Sequence, residues 1–542
     1  MKKDTRKIFF GGIVYTVDAM RSIAEAVVTE NNKIIFVGSD DKAMQFAQKD
    51  AELIDLQGKL LLPGFIDSHA HPISAPYFDS GFMIAFEDTL DDILRNFQKY
   101  VNEHPDDTCY FGRGYNEWLL DDVNSPKSLL DEICCDKPVL FMGSTLHCGW
   151  CNTKALEVAG VTKDTEDLVL GKQYFVRDSE GTPNGNLIET GPTLMIMDAI
   201  EPFNAERVLC ETLKLTDSYA KDGVTAIQDG GAWGYTASEG RKLIRSLHAQ
   251  KKYKQRIQTC EFIAEPRNVD GSIERIKESR AIYNDDYLRA DYLKILNDGN
   301  YATRSAAMLE PYSDGTNADP LLYGKALQDL CVAAAAGKID IGIHNIGDRT
   351  AREVLLAAKA VREAGYEDAR IISYHSQCVK DEDFPMFGKY KVIGNSSPQW
   401  FLTAPYKAEL IGERAFNLFK LNTIAKQGVP ITFSSDYPAD SYGKAPLIGI
   451  EMGITRQLYD HNDEAPLAPV SECLTIEQMI EGYTINAAYQ MRMEDKIGSI
   501  EPGKYADMVV LEENIFKLPP AEIHAVPIAF AVFDGEIVYK NN

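Results

Sequence analysis

No apolar run in this chain comes near the ~18 residues that a membrane-spanning helix requires, so a helical membrane protein is not expected. Cysteine is thin, ten in 542 residues, which excludes a disulfide framework and fits free thiols in a reducing compartment. The opening segment MKKDTRKIFFGGIVYTVDAM is broken by Gly11, Gly12, Thr16 and Asp18 and offers no small-x-small cleavage site. It reads as two short strands around a Gly11-Gly12 turn rather than an export signal, so a cytoplasmic location is expected. Positive charge is in deficit: 56 Lys and Arg stand against 81 Asp and Glu, a net charge of −25. Such a surface repels phosphate backbones, and nucleic acid is not an expected partner. Histidine numbers only nine, which makes any clustering among them informative.

What is present is ordinary for a globular protein, with 45% hydrophobic and 25% charged residues. At ~150 residues per domain the length corresponds to three or four domain equivalents. Residues 1–60 show short strand-like runs between turn residues. From residue 220 onward, apolar runs of strand length alternate with helical patterns, the signature of βα units around a parallel sheet. The strand runs lie at 224–229, 256–264, 292–298, 339–347, 370–377, 391–397 and 430–436. Counting 61–71 as the first gives eight, the number in a (β/α)₈ TIM barrel. The helix 348–365 has Asp348 as its expected N-cap and Gly365 as its stop. A long gap after the first strand implies a domain-sized insertion at 75–215. The barrel is thus expected from 61–74 plus 216–496. The last segment, 497–542, returns to strands with an Asp534-Gly535 turn, and is expected to join 1–60 in a small β-sandwich.

His69-Ala70-His71 closes the first expected strand, and period-two alternation puts both imidazoles on one side, able to reach one metal or to make ordinary hydrogen bonds. His344 ends the fifth strand, His375 the sixth and Asp436 the eighth, while Lys294 lies within the fourth. Strand C-termini converge on one face of a barrel, so four of the nine histidines meet a carboxylate there. His and Asp suit a divalent transition metal: zinc first, with iron or manganese as alternatives. Lys294, between Leu293 and Ile295, either pairs with Asp436 or Asp298, or as a neutral amine captures CO₂ to become a bridging carbamate. Cys148-Gly-Trp-Cys151 has the spacing of a zinc or redox site but no second CxxC.

Taken with PGFIDSHAHP (63–72), HCGWCNTKAL (147–156), NGNLIE (184–189), DGNYATRSAAML (298–309), SSDYP (434–438), TIEQMIEGYTINAAY (475–489) and IGSIEPGKYADMVVL (497–511), the sequence resembles the amidohydrolase superfamily. Within it, the chain is similar to the YtcJ-like branch related to N-substituted formamide deformylases. The resemblance implies a metal-bearing TIM barrel, a sandwich made from both chain ends and a substrate-covering insertion. It implies one or two ions: His69 and His71 binding one with Asp436, His344 and His375 a second, and carboxylated Lys294 bridging them. A metal-activated water would be the nucleophile and Asp436 the proton carrier.

Further candidates surround this set. Arg304 follows the fourth strand, where its fork either grips a substrate or braces a loop. His147 stands where the related pattern reads D-G-H, here preceded by Thr145 and Leu146, and is expected to contact substrate. Tyr115 and Trp118 are expected to line or cover an apolar pocket. Gln399, Trp400 and Arg456 are rim candidates. The expected activity is hydrolysis of an N-acyl or N-formyl amide of a small molecule. Ester or cyclic amide hydrolysis or an isomerisation at the same site, and a non-catalytic metal-binding regulator, are the alternatives. A homodimer is expected from the frequency of symmetric oligomers.

Overall fold

Gly64 divides the apolar run 61–71 into two strands that serve different sheets. Leu60–Pro63 pairs with Ile13–Tyr15 and Met508–Leu511, whereas Phe65–Ala70 (β1) opens the barrel. The expected single strand is therefore two, since an uninterrupted apolar run carries no mark of a change of sheet. This computed structural model describes residues 6–47, 51–169, 172–402, 405–439, 442–461 and 465–541.

The barrel continues through β2 (Val224–Asp229), β3 (Arg256–Ile263), β4 (Leu288–Ile295), β5 (Asp340–His344), β6 (Ile371–Tyr374), β7 (Val392–Ser396) and β8 (Ile431–Phe433). All adjacent pairs from β1 to β8 are parallel and in sequence order. The seam between β8 and β1 is held by a few specific bonds. Ser68 Oγ donates to Phe433 O at 2.6 Å, the Asp436 N–H to His69 O at 2.8 Å and the His71 N–H to Tyr437 O at 2.7 Å. The eight-stranded parallel barrel is thus present, and its seam ties together the two segments that carry His69, His71 and Asp436.

Between the strands run amphipathic helices whose apolar faces cover the barrel. The helix Asp348–Glu363 buries Ala351, Val354, Leu355, Ala358 and Val361. Its N-cap is Gly347 rather than Asp348, which is the first helical residue and accepts the Leu309 N–H at 2.7 Å. Gly365 ends the chain's helical path with φ +88°, a conformation that favours glycine. The barrel interior beneath the mouth carries a polar network: Tyr374 Oη donates to Gln228 Oε1 at 2.6 Å and Gln228 Nε2 to Gln258 Oε1 at 2.8 Å. Such a network makes a rigid floor for the groups above it.

Two further sheets involve the chain ends. One orders Lys33–Gly38, Ala26–Glu30, Arg6–Phe10 and Glu52–Asp55; the other runs from the hairpin Ile528–Phe533/Glu536–Lys540 through Met508–Leu511 and Leu60–Pro63 to Ile13–Tyr15 and Ile23–Ala24. Phe9, Val27 and Ile34 of the first share an apolar cluster with Leu61, Val510 and Val532 of the second. After β1, a six-stranded mixed sheet spans from Phe82–Met83 to Pro183–Ile188. The helix Ala205–Lys221 crosses the expected boundary at 215/216. Its Val208 packs with this inserted sheet, and its Leu215 and Tyr219 pack with the barrel.

Candidate metal centre

His69 leaves β1 at its C-terminal end and His71 follows one residue beyond the strand. The His71 Nδ1 lies 2.8 Å from Gly231 O, and since a carbonyl oxygen only accepts, that nitrogen carries the hydrogen. With Nδ1 committed to that carbonyl, Nε2 is the nitrogen turned to the site, where it faces the Asp436 Oδ1 at 3.1 Å. His69 Nε2 stands 3.2 Å from the same oxygen and 3.3 Å from the Lys294 Nζ. Two imidazole nitrogens on one carboxylate oxygen call for positive charge between them, a proton or a metal ion. Two ligands each ~2.1 Å from an ion at the tetrahedral angle stand ~3.4 Å apart, close to these separations. Nδ1 of His69 and Nδ1 of His375 are buried without a hydrogen-bond partner among the described residues. The donor set therefore fits a divalent cation.

His375 and Asp436 follow β6 and β8 with φ +68° and +59°, in the left-handed region that side chains rarely adopt. A nitrogen of His69, a nitrogen of His375 and an oxygen of Asp436 all lie within 4.8 Å of one another. His344 ends β5, its ring centroid 4.5 Å from that of His375. Its Nδ1 is fixed 2.8 Å from the Asp298 Oδ1, which turns Nε2 toward the site. Asp298 is held by the Ile346, Gly347 and Ala307 N–H groups as well, although burial pushes its carboxyl up to about 6. It pairs with His344 and not with Lys294, the partner that the sequence suggested for it.

Burial holds His69, His344 and His375 well below the ordinary imidazole value, with neighbouring cationic groups adding to the effect. They are thus neutral and free to donate lone pairs. Burial alone would raise Asp436, but the surrounding histidines hold it well below the usual carboxylate range. Burial pushes the Lys294 amine down to about 7, against the attraction of Asp436. Its Nζ lies over the Tyr374 ring, 4.0 Å from the centroid.

The inserted sheet supplies the roof. Glu117 accepts the Thr145 N–H at 2.8 Å and the Thr145 Oγ1 at 2.6 Å, which fixes the turn that presents His147. His147 Nδ1 lies 2.8 Å from the Glu189 Oε2, and its ring centroid is 5.7 Å from that of His344. Glu189 also accepts from the Ser305 and Thr303 hydroxyls beyond β4. Burial would raise Glu189, but His147 and these hydroxyls bring it down to about 2; the same pairing outweighs burial and raises His147. An inner cavity touches all seven of these polar groups: His69, His71, His147, Lys294, His344, His375 and Asp436. An outer cavity of ≈ 540 Å³ opens from it, sharing His147, His344 and Asp436.

The other candidates divide. Trp400 stacks on His375 with centroids 5.3 Å apart, and both it and Trp118 line the outer cavity, Trp118 edge-on to Tyr406. Tyr115 does not line either cavity: it is wholly buried in the core of the inserted sheet with its hydroxyl 3.4 Å from Cys148 Sγ. Gln399 is likewise fully buried and off both cavity walls. Arg304 is half-exposed, with Nε 2.9 Å from Asp314 Oδ2, and braces its own loop. Arg456 is not at a rim: its buried guanidinium donates to Leu467 O, Phe419 O and Leu418 O. Cys148 and Cys151 point into separate apolar clusters on opposite faces of their strand, with burial pushing both thiols up. They form neither a disulfide nor a shared metal site.

Residues 52–539 match the sequence model described as the amidohydrolase family. The exoenzymes regulatory protein AepA of Pectobacterium carotovorum is 31% identical over 77% of this chain and 91% of its own. An N-substituted formamide deformylase of Arthrobacter pascens is 25% identical over 97% of both chains. Among solved structures, an uncharacterized metal-dependent hydrolase from Pyrococcus horikoshii superposes with a TM-score of 0.75 at 19% identity, covering 96% of this chain and 100% of that one.

Proposed function

Because the chain belongs to the amidohydrolase family, we propose that it is a metal-dependent hydrolase that cleaves the C–N bond of a small N-acyl or N-formyl amide. The observation that carries this reading is the convergence of His69 Nε2 and His71 Nε2 on Asp436 Oδ1 at 3.2 and 3.1 Å. In this reading His69, His71 and Asp436 hold one divalent ion, and His344 and His375 a second. Lys294, once carboxylated at Nζ, would supply a further ligand oxygen. Zinc suits the ligands best, with iron or manganese as alternatives. When bound, the metal supplies Lewis-acid polarisation of the carbonyl and a lowered pKa for water.

The chain's own residues do the rest. Asp436 orients the attacking water, takes its proton at a carboxylate oxygen and returns that proton to the leaving nitrogen. Asp298 keeps His344 in one tautomer, and Gly231 O does the same for His71. His147, charged by its pairing with Glu189, offers a donor at the roof for the substrate carbonyl. Trp233, Phe262 and Leu296 line the inner cavity and limit bulk water there. The 75–215 segment acts as the substrate-covering module, through Thr145, Leu146 and His147.

Elemental analysis of native protein, followed by an N-formyl and N-acyl amine panel with and without chelator, tests this reading. One or two metal equivalents and chelator-sensitive amide hydrolysis are expected. Metal-loaded protein that turns over no amide would sink it and favour a regulatory role, which the name of the Pectobacterium relative supports. Turnover confined to esters or cyclic amides would reassign the substrate and leave the site intact.

A further inference from the structure

The outer cavity contains a cation that the reaction does not use. Lys407, on the short helix Pro405–Ile411, is 8% exposed and lines this cavity with Trp118, Trp400 and Tyr406. Its ammonium has no hydrogen bond and no carboxylate within 4.0 Å among the described residues. Ring faces lie near it, Phe419 at 5.3 Å and Tyr406 at 6.0 Å from Nζ. The three acids that line the cavity do not answer it: Asp436 stands at the inner site against His69 and His71. Glu117 is engaged by Ser144 and Thr145, and Glu87 is exposed. Arg113, the other cation of the cavity, is already neutralised by Asp79 at 2.9 Å.

A buried, unpaired ammonium is costly, and a fold retains one where a ligand supplies the missing charge. Consistent with that isolation, burial alone pushes the Lys407 amine down to about 8. The same cavity reaches Asp436 and His344, so a molecule with its amide at the metal centre extends past Lys407. The aromatic wall of Trp118, Tyr406 and Trp400 suits an apolar body between the two ends.

Resting on the amide-hydrolase reading, we propose that Lys407 is a specificity residue for a carboxylate on the substrate, so that the substrates are N-acyl or N-formyl amino acids with an apolar or aromatic side chain. The carboxylate forms the ion pair that Lys407 lacks, and the acyl carbonyl lies at the metal centre. Neutral N-formyl amines of the same size lack that contact.

The test compares N-formyl-phenylalanine with its carboxamide in the parent protein and in Lys407→Met, an apolar replacement of similar volume suited to a buried position. The parent is expected to favour the carboxylate in kcat/KM by at least tenfold, chiefly through KM, and K407M to erase that ratio. Equal ratios in parent and variant, or a parent preference for the carboxamide, would overturn the proposal. Equilibrium dialysis of N-acetyl-phenylalanine and its amide reads the same discrimination without turnover. A protein that hydrolyses no amide but binds the carboxylate in a Lys407-dependent way removes the functional reading and keeps this one. Amide hydrolysis with Lys407-independent binding does the reverse. Melting curves of both proteins, taken alongside, establish that K407M is folded.

Discussion

Glu189 holds the imidazole of His147 at 2.8 Å; Glu189 is buried, and His147 is partly exposed where it lines the two cavities. The contact joins two strands' worth of the inserted sheet to the barrel mouth, because Glu189 is at the same time an acceptor for Ser305 and Thr303 beyond β4. Glu189 sits with φ +69° and Leu146, next to His147, with φ +64°. Both backbone positions are ones that the surrounding structure must enforce. The ion pair fixes His147 within the roof, and Glu189 with Lys172, which donates to Asn297 O at 3.0 Å, ties the roof to the barrel.

That pairing has a definite pH signature. Glu189, brought down to about 2 from an ordinary 4.5, contributes stability that is present above pH 4.5 and lost as pH falls through about 2. His147 is raised above 6.5, so its contribution is complete below pH 6.5 and is lost as pH rises through the raised value. Glu189→Gln is expected to cost ~1–3 kcal/mol, with the largest drop in melting temperature between these limits and a shrinking one in alkaline buffer. Melting curves across pH check it; an identical gap at about pH 5.5 and about pH 9 would mean the pair is not charged as described.

Asp436→Asn retains the shape of the side chain and removes the base. A general base accounts for ~10²–10⁴-fold in rate, so kcat on the amide substrate should fall by that much. Metal content, measured on the same preparation, separates loss of proton transfer from loss of the ion. Full activity in the metal-replete variant would show that another group carries the proton.

Much of this centre was legible in the sequence, for physical reasons that also set the limit. His69, His71, His344, His375 and Asp436 could be read because histidine is scarce and period-two strands ending at one barrel face bring such residues together. β2 was delimited correctly at 224–229 because it is an unbroken buried run. Glu189, and the role of Asp298 beside His344 rather than Lys294, escaped because an acid among 81 carries no mark of its own. Their roles arise from backbone N–H groups and hydroxyls distant in sequence. Tyr115 was misplaced because aromatic residues fill cores and pockets alike, and only the strand's facing separates the two. Lys407 gave no sign, since a lysine in a polar helix is usually solvated.

On the proposed assignment, the metal is a ligand of the folded state alone. An ion that binds the folded state alone stabilises it by ~4 kcal/mol at a thousandfold excess over its dissociation constant. Exhaustive chelation should therefore abolish hydrolysis and lower the melting temperature, and added zinc should restore both. Coincident melting curves for chelated and reconstituted protein would contradict the assignment of His71 Nε2 and Asp436 Oδ1 as ligands of one ion.

Arg456 allows a stability prediction apart from the chemistry. It is fully buried with φ +55° and donates from Nε to Leu467 O at 2.9 Å, from Nη1 to Phe419 O at 3.0 Å and from Nη2 to Leu418 O at 3.0 Å. With Ala468 O at 3.3 Å from Nη2, four carbonyls in two separate loops depend on one planar fork, and burial pushes the guanidinium down to about 10. Arg456→Met leaves those oxygens dry and unpaired, at a cost of ~3 kcal/mol or more. Arg456→Lys recovers only part, because an ammonium is a point charge and cannot reach all four oxygens. Thermal melting should rank the parent above Lys and Lys above Met, while metal content per folded chain stays constant. A Met variant that melts with the parent would mean that water replaces the fork at these carbonyls.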